Sequence, residues 1–271
     1  MQCNICENEM KLIASSSKYR YFRCPVCHWY GTEKIEGQKQ EENFNYDNYK
    51  TFDDNLGNYE NYVREAMRIL RFKFNMINEI PRNFLDIGCS EGVFVEAYDR
   101  LTESKNGYGI EIALPKIERA RNRKLNVYGF DDMPDIVFDF VFLRHVIEHI
   151  VNPIEYLRMV SKLVAPGGIL WIETPNQECF DNAFKGNRIK DDRFVRDLYP
   201  PTHICGFCKK TLEHVAAELD MKLEKNLTHD VRNTNWYYMR EKSNTFTDRI
   251  MINLTEKLNI ASNVVCVLRK K

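Results

Sequence analysis

The chain has 271 residues, of which 44% are hydrophobic and 29% are charged. This composition excludes a wholly disordered chain, and the length suits one α/β domain of roughly 200 residues with a small appendage. The 39 basic and 39 acidic residues cancel. Proteins that bind a phosphate backbone normally carry a basic excess, so nucleic acid is not the expected partner, although a local basic patch is not excluded.

The sequence predicts a cytoplasmic protein without a membrane anchor. No apolar run approaches the ~18–20 residues of a membrane span. The first residues lack the basic-then-apolar layout of a signal peptide. The chain contains nine cysteines, and an odd number without an export signal favours a reducing compartment, in which paired cysteines bind metal.

Residues 1–33 are predicted to form a zinc ribbon. Four cysteines are arranged as two C-x2-C pairs separated by 17 residues: Cys3, Cys6, Cys24 and Cys27. This spacing is typical of a four-thiolate zinc site, and because protein ligands fill all four positions we expect structural Zn²⁺ rather than a catalytic ion. Between the pairs, basic and aromatic residues alternate from Lys18 to Arg23, which predicts one strand of a hairpin.

Residues 34–58 are polar and tyrosine-rich, and we interpret them as a linker that lies across the following domain. The main domain is predicted to comprise residues 59–271, and it begins with apolar residues at helical spacing. This pattern predicts an amphipathic helix from Tyr59 to Ile80, ending before Pro81.

From Asn83 onward, strands alternate with turns and helices. The first predicted strand, Phe84 to Ile87, is followed by the tight turn Gly88 to Gly92 and a helix from Val93 to Leu101. Further strands are predicted at 108–111, 127–128, 138–143, 169–173, 222–227 and 264–268, and further helices at 152–164 and 211–219. We therefore expect a doubly wound, mostly parallel seven-stranded sheet, with ligands at the carboxyl ends of its strands and the last two strands antiparallel.

The motifs of this region resemble those of class I S-adenosylmethionine-dependent methyltransferases of the small-molecule and sugar type. They occur in that family's order, at Leu85 to Gly92, Glu111, Phe138-Asp139, His145 to His149, Leu163 to Gly168 and Glu173 to Asn176. One departure is Ser90, where the family usually has glycine. The resemblance implies a Rossmann-like fold and S-adenosyl-L-methionine as the cofactor.

The resemblance also implies cofactor contacts. Asp86 and the turn of Gly88, Cys89, Ser90 and Gly92 would hold the methionine end, and Glu111 would bind the ribose hydroxyls. Asp131 or Asp132 would face the adenine amine. Leu143, at the end of the fourth strand of the domain, would lie near the cofactor.

Four side chains are candidates for chemistry at the methyl acceptor. His145, Glu148 and His149 follow the fourth strand, and His203 lies in a long irregular stretch that begins at Gln177 and is interpreted as a substrate-side cap. The pattern resembles E-x2-E-H…H in ubiquinone-pathway O-methyltransferases and small-RNA 2′-O-methyltransferases, in which these side chains hold a divalent metal. Here His145 replaces the first glutamate, which weakens binding of Mg²⁺, an ion that prefers oxygen ligands. Three hypotheses stay open: a metal site, metal-free base catalysis by His149 or His203, and a bracing role for Glu148 and His149.

A third C-x2-C, Cys205 and Cys208, has no partner pair and is interpreted as two ordinary thiols, with an extra metal site or a redox pair as the alternative. His214 is predicted to be structural, and His229 is predicted to lie in a polar loop. Residues 228–262 form an insertion that contains Asn235 to Tyr238 and is expected to cap the acceptor pocket or form an oligomer contact.

The leading functional hypothesis is O-methylation of a small molecule or sugar in a glycan or natural-product pathway. The alternative is a zinc-ribbon rRNA methyltransferase, in which Lys18, Arg20 and Arg23 contact RNA between stacked aromatic residues. A non-catalytic binding module is a third hypothesis. The sequence predicts no membrane partner, and it does not indicate the acceptor or the oligomeric state.

Overall fold

The computed structural model describes residues 1–35, 56–180, 182, 189–190, 193–194, 198–229 and 253–271. Most of the predicted linker, residues 36–55, lies outside the described residues. Residues 230–252 of the predicted insertion, which include Asn235 to Tyr238, also lie outside them. Within the described ranges, no helix is both long enough and apolar enough to cross a membrane.

The N-terminal segment folds as an antiparallel hairpin with a third strand. Its strands are β1 (Lys11–Ser15), β2 (Tyr19–Arg23) and β3 (Tyr30–Lys34). The predicted strand between the cysteine pairs is therefore confirmed as β2, which buries Tyr19 and Tyr21 and exposes Arg20.

The larger domain contains the predicted seven-stranded sheet. Its helices are α1 (Leu56–Ile77), α2 (Val93–Thr102), α3 (Leu114–Asn122), α4 (Pro153–Lys162) and α5 (Lys209–Glu218). The remaining strands are β4 (Phe84–Ile87), β5 (Gly107–Ile110), β6 (Asn126–Tyr128), β7 (Phe138–Arg144), β8 (Val164–Pro175), β9 (Ile189–Lys190), β10 (Arg193–Phe194), β11 (Cys205–Gly206), β12 (Lys222–His229) and β13 (Asn263–Arg269).

The strand order of the large sheet is β12-β13-β8-β7-β4-β5-β6. The five strands from β4 to β8 run parallel, and β13 pairs antiparallel with both β8 and β12. The predicted fold class is thus confirmed, including the antiparallel pairing of the last two strands. The carboxyl ends of β4, β5 and β7 lie at one edge, where the predicted motifs meet.

Both faces of the sheet are covered, which explains why β4 and β7 consist of nearly continuous apolar residues. One face packs against α1 and α2 through residues such as Val63, Leu70 and Phe94. The other face packs against α4 and α5, and its hydrophobic cluster continues into the N-terminal ribbon through Ile5 and Trp29. The ribbon therefore shares a core with the domain.

The ribbon is also joined to the domain by backbone pairing. Strand β11, from the cap stretch, pairs antiparallel with β3, so that Cys205 lies opposite Gly31 and Gly206 opposite Tyr30. The small sheet therefore has the order β1-β2-β3-β11.

Several predicted boundaries were wrong. The helix predicted to end at Val164 ends at Lys162, because Val164 pairs with Phe138 as the first residue of β8. The strand predicted to begin at Ile169 begins at Val164, so residues 166–168 lie within β8.

Two further elements differ from the prediction. Helix α3 was not predicted, although Pro115 stands in its first turn, where proline is well tolerated. His229 was placed in a loop but is the last residue of β12, because β12 keeps pairing with β13 as far as Asn263.

Candidate functional site

The turn after β4 brings the backbone close to the loop that follows β7. Gly88 and Gly92 have φ of 73° and 81°, a region that side-chain-bearing residues rarely adopt. A Cβ on Gly88 would lie 2.5 Å from Cγ2 of Val146. The backbone N–H groups of Gly88 and Cys89 donate to the Ile110 carbonyl at 2.8 and 3.0 Å, which fixes the turn against β5.

The carboxylate of Glu111 holds the same turn from the other side. Its Oε2 accepts a hydrogen bond from the Ser90 N–H at 2.8 Å, and its Oε1 accepts from the N–H groups of Ile112 and Ala113 at 2.8 and 3.0 Å. A carboxylate offers about four lone-pair sites. Glu111 is therefore both a structural acceptor and able to receive a further hydrogen bond from a ligand.

Asp86 is a buried carboxylate beneath the turn. Burial raises its pKa well above the ordinary value, with a smaller contribution from the negative charge of Glu111, while the Arg144 guanidinium acts in the opposite direction. Among the described residues, no side chain or backbone N–H donates a hydrogen bond to it. A buried carboxylate that receives no such hydrogen bond is stabilised when a cationic group of a ligand approaches it.

A single cavity of about 500 Å³ extends from this turn to the predicted acceptor residues. Ligand sites of proteins typically have ~300–1,000 Å³. The cavity is lined by Ile87, Gly88, Ser90, Ile110, Glu111, Ile112, Lys116, Phe130, His145, Val146, Glu148, His149, Ile150, Tyr156 and His203.

Glu148 organises the residues after β7. It lies in a short 3₁₀ turn (Ile147–His149) and is 2% exposed. Its Oε2 accepts a hydrogen bond from Thr174 Oγ1 at 2.9 Å, and its Oε1 accepts from His145 Nδ1 at 3.2 Å. Burial alone would raise the pKa of Glu148, but the hydrogen bond from His145 and the proximity of both imidazoles hold it below the ordinary value.

The tautomer of His149 follows from its partner. Its Nδ1 lies 2.7 Å from the carbonyl oxygen of Thr202, which only accepts hydrogen bonds, so Nδ1 carries the proton. In the neutral ring, Nε2 is then the basic nitrogen. In His145, by contrast, Nε2 already has a hydrogen-bond donor, because it lies 3.4 Å from the amide nitrogen of Asn263.

His203 is brought to His149 from the cap stretch. The two rings are 5.0 Å apart, centre to centre, and the His203 ring stacks on Tyr199 at 4.2 Å. The Tyr199 hydroxyl lies 3.2 Å from His203 Nε2. One ligand atom from each of Glu148, His149 and His203 lies within 4.8 Å of the others.

The structure does not bring every predicted cofactor residue to the cavity. Asp131 and Asp132 are exposed and Asp86 is buried beneath the turn, and none of the three is among its lining residues. The Cys89 side chain packs into a hydrophobic cluster with Val95 and Ile117, and Leu143 is fully buried in the main core. Gly92 faces Leu125 rather than the cavity, since a Cβ there would lie 2.8 Å from Cδ1 of that residue.

Eight lining residues were not among the candidate site residues of the sequence analysis: Ile87, Ile110, Ile112, Lys116, Phe130, Val146, Ile150 and Tyr156. Ile112 directly follows the predicted ribose ligand, and Phe130 directly precedes the two predicted adenine ligands. Both are exposed apolar side chains. Their positions in the sequence, next to predicted nucleotide ligands, are the signal from which they could have been predicted.

The four ribbon cysteines converge. Their sulfur atoms all lie within 4.8 Å of one another, with Cys3 and Cys27 at 3.4 Å and Cys6 and Cys24 at 3.5 Å. A tetrahedral zinc with Zn–S bonds of ~2.3 Å has sulfur–sulfur edges of ~3.8 Å. Cys27 donates a hydrogen bond that lowers the pKa of Cys3 to about 5. The donor set therefore fits one zinc ion.

The third cysteine pair is split between two environments. Cys205 Sγ donates to the Ile147 carbonyl at 3.4 Å, whereas Cys208 Sγ lies 3.4 Å from Thr211 Oγ1 at the start of α5. Cys208 also lies near His28 and Glu178. Glu178 already accepts a hydrogen bond from Arg23 at 2.6 Å and lies 2.9 Å from His28 Nδ1. The positive charge that a metal ion would bring to this carboxylate is therefore supplied by Arg23.

Known proteins resemble the chain mainly over the larger domain. The mitochondrial ubiquinone biosynthesis O-methyltransferase of Dictyostelium discoideum is 32% identical over 117 residues. The match covers 35% of this chain and 36% of that protein. The corresponding Saccharomyces cerevisiae protein is 29% identical over 159 residues, 52% of this chain and 49% of that protein. The chain thus matches between about a third and a half of the length of these curated relatives.

Solved structures show the same fold. A Thermotoga maritima protein described as a possible histamine N-methyltransferase superposes with a TM-score of 0.51 at 16% identity, covering 81% of this chain and 97% of that one. Coclaurine N-methyltransferase superposes with a TM-score of 0.52 at 13% identity, covering 76% of this chain and 72% of that one.

A family model described as a methyltransferase domain matches residues 59–249. The match begins in α1 and includes the turn after β4, Glu111 and the histidine cluster. Because it spans well over half of the sequence, the chain belongs to the methyltransferase-domain family.

Proposed function

We propose that this protein transfers the methyl group of S-adenosylmethionine to a hydroxyl group of a small molecule. The observation that carries the proposal is one continuous cavity lined by the glycine turn, Glu111 and His149, whose Nε2 is the basic nitrogen. The ubiquinone-pathway O-methyltransferases among the relatives support a hydroxyl acceptor and a small molecule. A sugar of a glycan or natural-product pathway remains our proposed acceptor class within that group.

The residues around the turn suit the cofactor. The cationic amino group of its methionine end would approach Asp86, which is buried beneath the turn and receives no hydrogen bond from the described residues. The backbone of Gly88 would line the same part of the cavity. Glu111 would accept from the ribose, and the apolar side chains of Ile112 and Phe130 would contact the adenine ring. When bound, S-adenosylmethionine supplies a methyl group already activated by a positively charged sulfur.

The chain's own contribution is then to align the acceptor and take its proton. His149 is the proposed base, because its Nδ1 proton is held by Thr202 and its Nε2 has no partner among the described residues. The buried Glu148 carboxylate beside it stabilises the ring once it becomes positively charged. His203 also lines the cavity, with the ring of Tyr199 stacked on it.

A divalent cation on Glu148, His149 and His203 is the second candidate arrangement, favoured by the mutual approach of their ligand atoms within 4.8 Å. In that case the cation would lower the pKa of the acceptor hydroxyl, and the histidines would be its ligands rather than bases. Both arrangements place the acceptor at the same end of the cavity.

The rRNA alternative is not favoured. Arg20 pairs with Glu33 at 3.2 Å and Arg23 pairs with Glu178 at 2.6 Å. The interleaved aromatic residues Tyr19, Tyr21 and Phe22 are buried. The rings of β2 are therefore not available for stacking on RNA bases.

The experiment that tests the proposal measures S-adenosylhomocysteine formation with a catechol and a set of sugar nucleotides as acceptors. We expect turnover by the native protein and a loss of ~10²–10⁴-fold in the chemical step for His149→Ala, with cofactor affinity unchanged. His214→Ala, on α5 and outside the cavity lining, is the control.

A chelator separates the two arrangements. The treatment is one that leaves the ribbon zinc in place, as checked by elemental analysis. Under metal-free base catalysis, activity survives it; under metal catalysis, it abolishes activity and added divalent ion restores it. Near-native single-turnover rates in both His149→Ala and His203→Ala would contradict either role for the histidines.

A further inference from the structure

The segment 202–206 is held between the ribbon and the residues after β7. On the ribbon side, Thr32 Oγ1 donates to the Ile204 carbonyl at 2.8 Å, next to the paired strands β3 and β11. On the other side, the Ile204 N–H donates to the Glu148 carbonyl at 3.0 Å, and His149 Nδ1 donates to the Thr202 carbonyl at 2.7 Å. His203 lies between these contacts.

The junction is closely fitted. A Cβ on Gly31 would lie 2.9 Å from the Trp29 ring, and a Cβ on Gly206 would lie 2.4 Å from Cγ of Gln177. Cys205 lies opposite Gly31 in the strand pairing and directly precedes Gly206 in the chain. It is buried, and its sulfur donates a hydrogen bond to the Ile147 carbonyl. Such contacts leave little room for the segment to move relative to the ribbon without moving the 3₁₀ turn as well.

We propose that Thr32 is a positioning residue for the acceptor site, through which the ribbon fixes the orientation of His149 and His203. The inference rests on the proposed function and extends it to a residue outside the methyltransferase-domain match. Thr32 contacts neither the cavity nor the histidines; it acts through the Ile204 carbonyl. The ribbon is then part of the catalytic architecture rather than an attached module.

The physical link is the Thr202 carbonyl. If segment 202–206 shifts, the hydrogen bond from His149 Nδ1 weakens, and the ring proton is free to move to Nε2. The Nε2–H form has no basic nitrogen toward the acceptor. One hydrogen bond of this type contributes about 0.5–1.5 kcal/mol, which corresponds to a fall of roughly two- to ten-fold in the ratio of the Nδ1–H form to the Nε2–H form.

The test compares Thr32→Val, which removes only the hydroxyl, with Thr32→Ser, which restores it. Ser15→Ala removes a hydroxyl from β1, the strand of the small sheet farthest from β11, and is the matched control. The readouts are the ¹⁵N chemical shifts of His149, which report the tautomer without any acceptor, the turnover number, and cofactor affinity by calorimetry.

We expect Thr32→Val to shift His149 toward the Nε2–H form and to lower the turnover number two- to ten-fold, with cofactor affinity unchanged. Thr32→Ser and Ser15→Ala should both behave as native. A native tautomer in Thr32→Val overturns the proposal, whether or not an acceptor has been found, so its failure is distinguishable from failure of the proposed function.

A second variant covers the case in which Thr32→Val unfolds the ribbon, as judged by circular dichroism. Gly206→Ala perturbs the same junction from the domain side, where the ribbon sequence is intact. It should shift the His149 tautomer in the same direction. An unchanged tautomer in a folded Gly206→Ala protein would also overturn the proposal.

Discussion

Glu111 is the residue on which the turn and the cavity both depend. Its carboxylate accepts three backbone hydrogen bonds and still borders the space assigned to the ribose. The sequence located this residue from an acidic side chain at the end of a strand. It did not indicate that the same carboxylate also closes the turn, because backbone N–H partners leave no pattern in the sequence.

Replacing Glu111 by alanine should weaken cofactor binding by roughly 1–3 kcal/mol, because ribose hydroxyls lose their acceptor and three backbone donors lose theirs. Isothermal titration calorimetry with S-adenosylhomocysteine measures the change. Asp132→Ala is the control, since that carboxylate is exposed and outside the cavity lining. Equal effects of the two substitutions would refute the assignment of Glu111 to the ribose.

At the scale of elements, the strand–turn–helix of β4 and α2 depends on Gly88. The chain offers a matched comparison, because Gly167 has nearly the same φ, 74° against 73°, but a Cβ on Gly167 meets nothing within 4 Å. The two glycines therefore share the backbone requirement and differ in their surroundings.

Gly167→Ala should cost about 1–2 kcal/mol of unfolding free energy from backbone strain alone, with native cofactor affinity. Gly88→Ala should cost more, because its Cβ also collides with Val146, and it should lose cofactor binding. Chemical denaturation and calorimetry on both variants provide the measurement. Retention of native cofactor affinity by Gly88→Ala would show that the turn does not hold the ligand.

Helix α1 is anchored to the sheet by a buried ion cluster. Lys73 Nζ lies 2.6 Å and Arg144 Nε 3.0 Å from the fully buried Glu173 carboxylate. His229 Nε2 also lies 3.0 Å away, outside hydrogen-bond geometry. Burial alone would raise the pKa of Glu173, but the positive charges of Lys73 and its other neighbours hold it well below the ordinary value.

Since the pKa of Glu173 is depressed in the folded state, its contribution to stability is fully present above its unfolded pKa of ~4.3 and is lost as pH falls toward the folded value. Glu173→Gln should unfold about 3–5 kcal/mol more easily at neutral pH, because Lys73 and Arg144 stay buried without their partner. It should also lose part of the acid dependence.

Urea denaturation from pH 3 to pH 7 tests this prediction. Glu218→Gln, which breaks the exposed pair with Arg158, should change the unfolding free energy by no more than about 0.5 kcal/mol. An acid profile of Glu173→Gln that runs parallel to the native one would contradict the role of the cluster.

At the scale of the whole molecule, zinc is expected to hold the ribbon on the domain. About thirty residues cannot bury enough apolar surface to fold alone, so metal binding would supply much of the ribbon's folding free energy. Elemental analysis should find one zinc per chain in the native protein and much less in the double variant Cys24→Ser/Cys27→Ser. Full zinc content in that variant would exclude the four-cysteine site.

The sequence predicted the domain better than its attachments. Strong local patterns located β4 and α2 and predicted the mostly parallel seven-stranded sheet. His149 and His203, both assigned to the acceptor side, have their rings 5.0 Å apart. The docking of the ribbon was not foreseen: β11 has two residues, too few for any periodicity, and its fit depends on Gly31 and Gly206, which lie 175 positions apart along the chain.

The position of β13 has a consequence for synthesis of the protein on the ribosome. This strand is made after the other six strands of the large sheet, yet it lies inside that sheet, between β8 and β12. Until residues 263–269 have emerged, β8 presents an unpaired edge, and β3 of the ribbon likewise waits for residues 205–206. A nascent chain of this fold therefore carries an open edge on β3 from residue 34 until residue 206 is made, and another on β8 from residue 175 until residue 269 is made. Such edges recruit other chains unless they are shielded.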